Sequence, residues 1–418
     1  MDTPILVVHN VPANSLEYRP LSKLGDTDYS MATGYLSLGG KSNMRSFVAW
    51  VLNRYDGCEF QLPEPLVPPA QGAYLPGSDS TDIGAAIDAL DPSKPTILVM
   101  LSQRRWNSGS VPVVDRLMSE VESRGANCLC IFLNYAENKA AGGLGIRRII
   151  DEYLIEEGHS RVDFVINTIS SSVTREAKAR SDDPDDPFLE RLGVPMMMTP
   201  TLVRSEKEWS EDIHGLTNAE IAYDVAFPEF DGQIVSVPNA STETDRESRR
   251  YHMPLESRIG DIAEMAVRWA RLRRTPNSEK RIAAIFYQYP PTSGHAGSAA
   301  DLDTFQSIRD LLERMRAAGY TIDLVPETSK ELVDLIFSGI TNDVGWFSES
   351  DVMERAADTV SKDVYGSWFD ALSEGQREYI VRDWGDPPGG ILTVGDRMAV
   401  PGVFDGNVLL SFQPTRGK

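Results

Sequence analysis

The run PTILVMLSQRRWNSGSVPVVDRLMSEVESRGANCLCIFLNY, residues 95–135, decides the fold class. It begins at 95–102 and ends at 127–135 with apolar stretches that are typical of buried strands. Between them, apolar residues at helical spacing predict a helix over 111–124, which Gly125 ends because left-handed geometry suits a residue without Cβ. This strand, loop, helix and strand favour a parallel sheet that helices cover.

The same alternation continues along the chain. A predicted helix at 144–158 precedes strands at 161–170 and 193–203. A second copy of the pattern begins with a strand at 280–290 and closes with a helix and a strand within 304–326. We therefore predict an α/β protein with two flavodoxin- or Rossmann-like parallel-sheet lobes, a helical connector and a mixed α+β C-terminal segment.

The domain boundaries follow from changes in composition. A stretch rich in Pro and Gly near 63–76 predicts a linker or a wrapping arm. The predicted parts are an N-terminal helical and arm segment at 1–76, a first α/β lobe at 90–205, a connector at 206–274, a second α/β lobe at 275–345, and the truncated start of a further α+β domain at 346–418.

The composition excludes several classes of protein. The formal charge of −21 and the pI near 4.7 disfavour nucleic acid and anionic membranes as partners. No apolar run is long enough to cross a bilayer and no basic region precedes the first apolar run, so we expect a soluble, cytoplasmic protein. The chain has no G-x-x-x-x-G-K-[ST] loop, which argues against P-loop ATP hydrolysis by the chain itself. The three cysteines are predicted to be buried and reduced.

The loops that follow the first strand of each lobe carry unusual chemistry. Arg104 and Trp106 lie in the first loop, and Tyr289, His295 and Asp303 lie in or beside the second. Open parallel sheets bind ligands beyond the carboxyl ends of their strands. Arginine binds acid groups, and aromatic rings stack on flat ones. Together these residues suit a large planar ligand bearing carboxylates or carboxamides.

Structural roles remain open for the same residues. Asp303 has the position of a helix N-cap, with the neighbouring glycines supplying turn geometry. The segment Arg104–Trp106 equally fits a solvated loop whose indole packs on the connector. Met196–Met198 is expected to fill the core. The histidines expected to be at the surface or capped are His9, His159, His214 and His252.

A longer run, residues 268–327, resembles a hallmark of the family formed by the cobaltochelatase large subunit (CobN) and the magnesium-chelatase H subunit. The family has an L-R-x-x-P approach to a strand, an N-Y-P-P-like strand end, and an L-D-[TV]-[FP]-x-S helix start. Here the strand end is Gln288–Pro291, with Gln for the family's Asn, and the helix start is Leu302–Ser307. Further segments that resemble the family in the same order are 161–170, 192–234, 383–389 and 401–417.

The resemblance, which covers residues 32–417, implies ATP-driven insertion of a divalent metal into a tetrapyrrole. The chain would be the N-terminal to middle portion of the large tetrapyrrole-binding subunit of a ligase that forms nitrogen–metal bonds. The P-E-x-D-G and W-G-x-P segments read closer to the cobalt branch, which implies cobalt and hydrogenobyrinic acid a,c-diamide, in cobalamin biosynthesis, over magnesium and protoporphyrin IX. The metal is then a substrate, separate AAA+ motor subunits use the ATP, and this chain alone holds no cofactor.

The resemblance leaves the catalytic residues unassigned. The family's acidic residue and histidine-bearing segment follow the Q-P-x-R-G element and would lie beyond Lys418. Either this sequence is a fragment of the subunit, or the protein is a naturally split or degenerate member and a second chain carrying that region is an expected partner. Gln413 and Arg416 are placed near the active site, and they join Arg104, Trp106, Tyr289, His295 and Asp303 as expected tetrapyrrole-binding residues; no metal ligand is assigned. The alternative is a non-catalytic split paralogue that carries a tetrapyrrole or docks the motor. A periplasmic-type small-ligand binder is disfavoured because no signal peptide is visible.

Overall fold

A computed structural model describes residues 5–8, 12–178, 183, 185–289, 292–299, 301–345 and 347–413. Its contacts divide the chain into two units, Met1–Arg274 and Thr275–Lys418, and each is described by itself. The division falls where the second lobe was predicted to begin. None of the helices in the described ranges is long and apolar enough to span a membrane.

The first unit is built around a six-stranded sheet. The strands of this unit are Gly72–Tyr74 (β1), Thr96–Ser102 (β2), Asn127–Leu133 (β3), Ile155–Glu156 (β4), His159–Ser160 (β5), Phe164–Asn167 (β6), Met196–Met198 (β7), Ile234–Val235 (β8), Ala240–Thr244 (β9) and Arg250–Pro254 (β10). Its helices are Asp26–Leu38 (α1), Gly40–Tyr55 (α2), Ile83–Asp88 (α3), Gln103–Asn107 (α4), Pro112–Ser123 (α5), Gly145–Ile149 (α6), Val173–Lys178 (α7), Phe188–Leu192 (α8), Glu206–Glu211 (α9), Asn218–Glu220 (α10), Phe227–Phe230 (α11) and Glu256–Arg274 (α12).

The sheet has the order β1-β3-β2-β6-β7-β8, and every pairing is parallel except that of β1 with β3. Numbered along the chain, the five parallel strands follow the order 2-1-3-4-5, which is the flavodoxin order. Alternate residues of β2 point to opposite faces, so Ile97 and Val99 pack with α5 and α12 while Leu98 and Met100 pack with α6 and α7. The predicted α/β architecture with a parallel sheet is confirmed for this unit.

Residues 206–274, the expected connector, contribute directly to the first unit. Strand β8 extends the sheet. The inner side of α12, including Ile259, Ala263 and Val267, is fully buried against the sheet. Arg274 at its end donates from Nε to Asp163 at 2.8 Å. The segment is therefore part of the first unit's core, because its apolar stripe covers one face of the sheet.

The N-terminal helices and the following arm hold each other by side-chain contacts. Tyr35, fully buried in α1, donates its hydroxyl proton to the carbonyl oxygen of Pro63. The Asn43 amide donates to the carbonyl oxygen of Leu66 at 2.7 Å and accepts from the Leu66 amide at 2.9 Å. Arm residues 57–70 lack regular structure, as the prolines predict, and these side chains satisfy part of their backbone.

The predicted core cysteines and methionines have different outcomes. Cys128 and Cys130 are buried free thiols on β3, and burial raises the pKa of both. Cys58 is also free but only partly buried, so its predicted burial is wrong; it follows α2 in the arm, away from any strand. Met196–Met198 fills the core as predicted, with at most 7% of any side chain exposed.

The second unit contains two three-stranded sheets. Its strands are Ile282–Phe286 (β11), Asp358–Ser361 (β12), Thr393–Val394 (β13), Arg397–Val400 (β14), Val403–Asp405 (β15) and Val408–Phe412 (β16). Its helices are Thr304–Ala317 (α13), Ser329–Ile336 (α14), Glu349–Arg355 (α15), Lys362–Asp370 (α16) and Glu374–Trp384 (α17). One sheet has the order β11-β16-β15 and the other the order β12-β14-β13.

The strand predicted at 320–326 does not form. Its place beside β11 is taken by β16, which pairs with β11 in parallel while β15 pairs with β16 antiparallel. The backbone amides of Asp323 and Leu324 donate to the Asp405 carboxylate at 2.9 and 2.8 Å instead of to a strand. This sheet is therefore mixed, and it includes strands from the segment assigned to a further domain.

Candidate functional site

The carboxyl edge of the first sheet contains a topological switch point between β2 and β6. Strand β3 lies on one side of β2 and β6 on the other, so the connections that leave β2 and β6 diverge. Ligands of open parallel sheets bind at this kind of crevice. The segments that leave these two strand ends are α4 and residues 168–172.

Helix α4 replaces the loop that was predicted after β2. It begins because the Ser102 hydroxyl accepts a hydrogen bond from the Arg105 amide at 3.2 Å. In this single turn, Arg104 is exposed and the Trp106 ring lies flat on Phe132 of β3, with ring centroids 3.9 Å apart. Trp106 thus packs on the cluster that contains the α12 side chains, as the structural alternative proposed.

Arg105, between the two predicted residues, turns toward the switch point. Its Nη1 donates to the Thr168 carbonyl oxygen, just after β6, at 3.4 Å. Burial lowers the pKa of the guanidinium, and the nearby Asp224 carboxyl opposes that shift. A partly buried cation with one long hydrogen bond is expensive to maintain unless an anion joins it.

Asp224 is the second polar group at this point. It lies in the wide helical turn Ile221–Ala226, is only 4% exposed, and its Oδ1 has no hydrogen-bond partner in the described structure. Burial raises the pKa of this carboxyl, although a hydrogen bond from Ser170 and the charge of Arg105 act in the opposite direction. Burial thus disfavours the charged form of this carboxyl group.

His252 of β10 is the third group. Burial, followed by the charges of Arg105 and Arg250, lowers its pKa to about 4. Its Nδ1 lies 3.4 Å from the Ser110 hydroxyl. This histidine is partly buried, and its ring has the Ser110 hydroxyl as a hydrogen-bonding neighbour, which agrees with the capped role predicted for it.

His252 gives a testable pH dependence. The folded pKa lies below the unfolded value near 6.5, so the unfolded chain takes up a proton first as the pH falls. We expect the His252 contribution to the free energy of unfolding to fall between about pH 6.5 and pH 4. Urea unfolding at pH 7 and pH 5 should show a smaller loss of stability in His252→Asn than in the unsubstituted chain. Equal losses in the two proteins would contradict the lowered pKa.

A buried hydrogen-bond network fixes the end of β6. The Tyr135 hydroxyl donates to Asn167 Oδ1 at 2.8 Å, and Asn167 Nδ2 donates to Gln233 Oε1 at 2.9 Å. Asp231 accepts from the backbone amide of Val173 at 2.6 Å and so holds the start of α7. These contacts make the crevice rigid before any ligand binds.

On its other side, α4 borders a cleft of about 330 Å³. Asn107 donates from Nδ2 to the Leu38 carbonyl oxygen at 3.0 Å, and its buried Oδ1 has no partner in the described structure. Asn134, which follows β3, is exposed. The carboxamide side chains that line this cleft are Gln71, Gln103, Asn107, Asn134 and Asn138. Neutral amides of this kind hydrogen-bond to both carboxylates and carboxamides.

The other predicted site residues lie in the second unit. Tyr289 is 61% exposed just after β11. His295 is exposed, and its Nδ1 lies 2.8 Å from the Thr292 hydroxyl. Asp303 caps α13 by accepting from the Gln306 amide at 3.0 Å, which is the structural role considered for it.

Of the last two predicted residues, Gln413 and Arg416, the structure describes only Gln413. The backbone amide of Gln413 donates to the Phe286 carbonyl oxygen at 2.7 Å, so this residue leaves β16 beside the end of β11. Buried Gln288 lies at the same edge, where its Oε1 accepts from Asn342 Nδ2 at 3.1 Å. Arg416 lies outside the described residues. A binding role for the predicted residues of this unit stays a prediction.

Sequence reasoning named Arg105 in the loop after β2 without choosing it as a site residue, and it did not identify Asp224. Arg105 was passed over in favour of its neighbours, because a five-residue helix has no periodicity from which to choose the inward side chain. Asp224 had a usable signal, since it is the single acid in the apolar run Ile221–Phe227. In the described part of the chain, no group of three or more His, Cys, Asp or Glu side chains is placed to hold a metal ion.

The comparisons with known proteins all indicate similarity to large subunits of cobaltochelatase and magnesium chelatase. The family model described as CobN/Magnesium Chelatase matches residues 33–418. The aerobic cobaltochelatase subunit CobN of Pseudomonas aeruginosa is 25% identical over 417 residues, which are 97% of this chain and 32% of that protein. The chloroplastic magnesium-chelatase subunit ChlH of rice is 26% identical over 438 residues, 100% of this chain and 30% of that protein.

A solved structure shares the fold. It is the catalytic subunit of cobaltochelatase from Mycobacterium tuberculosis, with a TM-score of 0.75 and 24% identity over 96% of this chain and 32% of that one. The chain therefore spans about a third of the length of the relatives it matches.

Proposed function

The chain belongs to the CobN/magnesium chelatase family, and from that membership we propose that it is a tetrapyrrole-binding portion of the large subunit of an ATP-dependent metal chelatase. The observation that carries this proposal is the family match over residues 33–418, which includes both units. The flavodoxin-order sheet, with polar groups gathered at its switch point, supports it as a ligand-binding scaffold.

The proposed reaction inserts cobalt into hydrogenobyrinic acid a,c-diamide, in cobalamin biosynthesis. Identities of 25% to a cobaltochelatase and 26% to a magnesium chelatase do not separate the two branches. The preference for cobalt rests on the P-E-x-D-G segment at 228–232 and the W-G-x-P segment at 384–387. Magnesium insertion into protoporphyrin IX is the second candidate, favoured by the similarity to the rice subunit.

The residues of this chain would hold the macrocycle by its rim. Both candidate macrocycles carry acid side chains, and the a,c-diamide also carries carboxamides, which suit the amide-lined cleft and the Arg105 crevice on the two sides of α4. Tyr289 of the second unit, which is exposed and has a flat apolar face, stays a predicted tetrapyrrole-binding residue. Removal of the pyrrole protons is assigned to residues outside this chain.

The proposed partners follow from the same family membership. AAA+ motor subunits would supply the free energy of ATP hydrolysis, and a further chain or region would carry the remaining catalytic groups. The proposed location is the cytoplasm.

Titration with two macrocycles tests this function. The fluorescence of the seven tryptophans of the full chain would be followed with hydrogenobyrinic acid a,c-diamide and, separately, with protoporphyrin IX. We expect saturable quenching, tighter with the diamide, after correction for absorption with free N-acetyltryptophanamide. Tighter binding of protoporphyrin IX would move the proposal to the magnesium branch. Quenching that saturates with neither compound would remove tetrapyrrole binding from this chain.

A further inference from the structure

We propose that Arg105 and Asp224 form a receptor for a carboxylate group of the ligand at the switch point of the first sheet, with Arg105 binding the carboxylate and Asp224 an adjacent polar group. The inference rests on the proposed function for the identity of the ligand, which is the acid-bearing rim of a tetrapyrrole. The receptor itself rests on the geometry of the first unit.

The first argument is the unused capacity of the Arg105 side chain. A guanidinium has five N–H donors in a planar fork that matches a carboxylate. Within the described residues, the single hydrogen bond of this fork is the 3.4 Å contact with the Thr168 carbonyl oxygen, and no carboxylate pairs with it. Most of its donors therefore remain available to a ligand.

Structural arginines of the same unit behave differently. Arg147, only 16% exposed, pairs with Asp186, 14% exposed, at 2.5 Å. Arg204, 19% exposed, pairs with Asp212 at 2.5 Å. These two arginines of low exposure each have a carboxylate partner, whereas Arg105, which is also partly buried, has none in the described structure.

The second argument is the burial of Asp224. This residue is only 4% exposed, and its Oδ1 has no hydrogen-bond partner in the described structure. A buried acceptor without a donor destabilises the folded chain unless a ligand supplies the missing hydrogen bond. Arg105 is near enough to influence the Asp224 carboxyl and yet forms no ion pair with it. A ligand group placed between them would satisfy both.

The pair selects among ligand groups by charge. A carboxylate accepts from the Arg105 fork, whereas a carboxamide N–H donates to Oδ1 of Asp224. A macrocycle that carries acid and amide side chains together, such as hydrogenobyrinic acid a,c-diamide, matches both groups better than one with acids alone.

The third argument is rigidity. The Ser171 amide donates to the Tyr223 carbonyl oxygen at 2.9 Å, which fixes the turn that carries Asp224 against the segment after β6. The Tyr135 hydroxyl lies within hydrogen-bonding distance of Asn167 Oδ1 and of the Ile169 carbonyl oxygen, and these contacts hold that strand end. Both receptor groups therefore lie on segments held by hydrogen bonds, so little ordering is needed when a ligand binds.

The first experiment compares Arg105→Gln with Arg268→Gln in the full chain. Arg268 is an exposed arginine of α12 that pairs with Glu264, so it controls for a change of one positive charge. The ligands are protoporphyrin IX and its dimethyl ester, which lacks the carboxylates. We expect Arg105→Gln to weaken binding of the acid about ten- to hundredfold, to leave binding of the ester unchanged, and Arg268→Gln to alter neither.

The second experiment tests the receptor without a macrocycle. Glutarate, a small dicarboxylate, is added at constant ionic strength while the imidazole NMR signal of His252 is followed, since Arg105 lies beside this ring. We expect a saturable shift of the signal in the unsubstituted chain and in Arg268→Gln, and none in Arg105→Gln. Circular dichroism verifies folding, and Arg105→Lys, which keeps the charge without the fork, should respond more weakly.

The outcomes separate the two proposals. Failure of the unsubstituted chain to bind either porphyrin or hydrogenobyrinic acid a,c-diamide, together with a glutarate response, overturns the proposed function and keeps the receptor. Porphyrin binding that is equal in Arg105→Gln and the unsubstituted chain overturns the receptor and keeps the function. Absence of a glutarate response in the unsubstituted chain also overturns the receptor.

Discussion

Replacing Gly402 with alanine is expected to destabilise the second unit by about 4 kcal/mol or more. Gly402 has φ of +112°, and a Cβ at this position would overlap the carbonyl oxygen of Leu410 and lie 2.9 Å from Ser411 Cα. The backbone cannot retreat, because the Gly402 amide donates to the Ile340 carbonyl oxygen at 2.9 Å. The substitution therefore forces the connection between β14 and β15 away from β16. Urea unfolding followed by far-UV circular dichroism measures the loss.

Gly366→Ala in the same unit is the matched control. Gly366 lies inside α16, and nothing stands within 4 Å of a Cβ built there. Alanine in a helix interior is favoured over glycine by about 0.5–1 kcal/mol, so this variant should be slightly more stable than the unsubstituted chain. If Gly402→Ala were as stable as Gly366→Ala, the close contact between Gly402 and β16 would be wrong.

Trp106→Ala is expected to lower the free energy of unfolding of the first unit by about 3 kcal/mol. The indole ring stacks on Phe132 at 3.9 Å with an interplanar angle of 5°, and it packs on the core cluster that covers one face of the sheet. Its removal leaves a cavity above a residue that is itself fully buried. Urea unfolding followed by circular dichroism gives the size of the effect.

Trp269→Ala provides the comparison within the same unit. Trp269 lies on α12 and is 40% exposed, so its truncation should cost about 1 kcal/mol or less. Should Trp106→Ala retain the stability of the unsubstituted chain, the ring would not be part of the core. Reduced macrocycle binding in that stable variant would then favour the ligand-stacking role predicted from the sequence.

Much of the first unit was predictable because its signals are local. The apolar runs of β2 and β3 and the periodicity of α5 are dense enough to fix both element type and limits within a few residues. The second unit was less predictable. The stretch 320–326 looks like a strand, but its amides bind Asp405, which is about 80 positions away in the sequence. No local pattern reports a partner at that distance.

The candidate site shows the same division. Its location after β2 followed from the rule that open parallel sheets bind ligands beyond the carboxyl ends of their strands. The residue types at 104–107 then indicated this loop as a candidate. The choice among those residues depended on the direction of each side chain. Trp106, for which a ligand contact was predicted, stacks on Phe132, while Arg105 turns to Thr168.

The sequence by itself determined the α/β class, the parallel sheet of the first unit and the family, because these depend on residue patterns that each segment carries alone. The tertiary structure decided that β16 pairs with β11, and that Arg105 lies with Asp224 and His252. The burial of Asp224 and the lowered pKa of His252 arise where segments more than 100 residues apart in the sequence exclude water from the same place. Burial and charge proximity are properties of that assembled volume, so no single segment of the chain contains them.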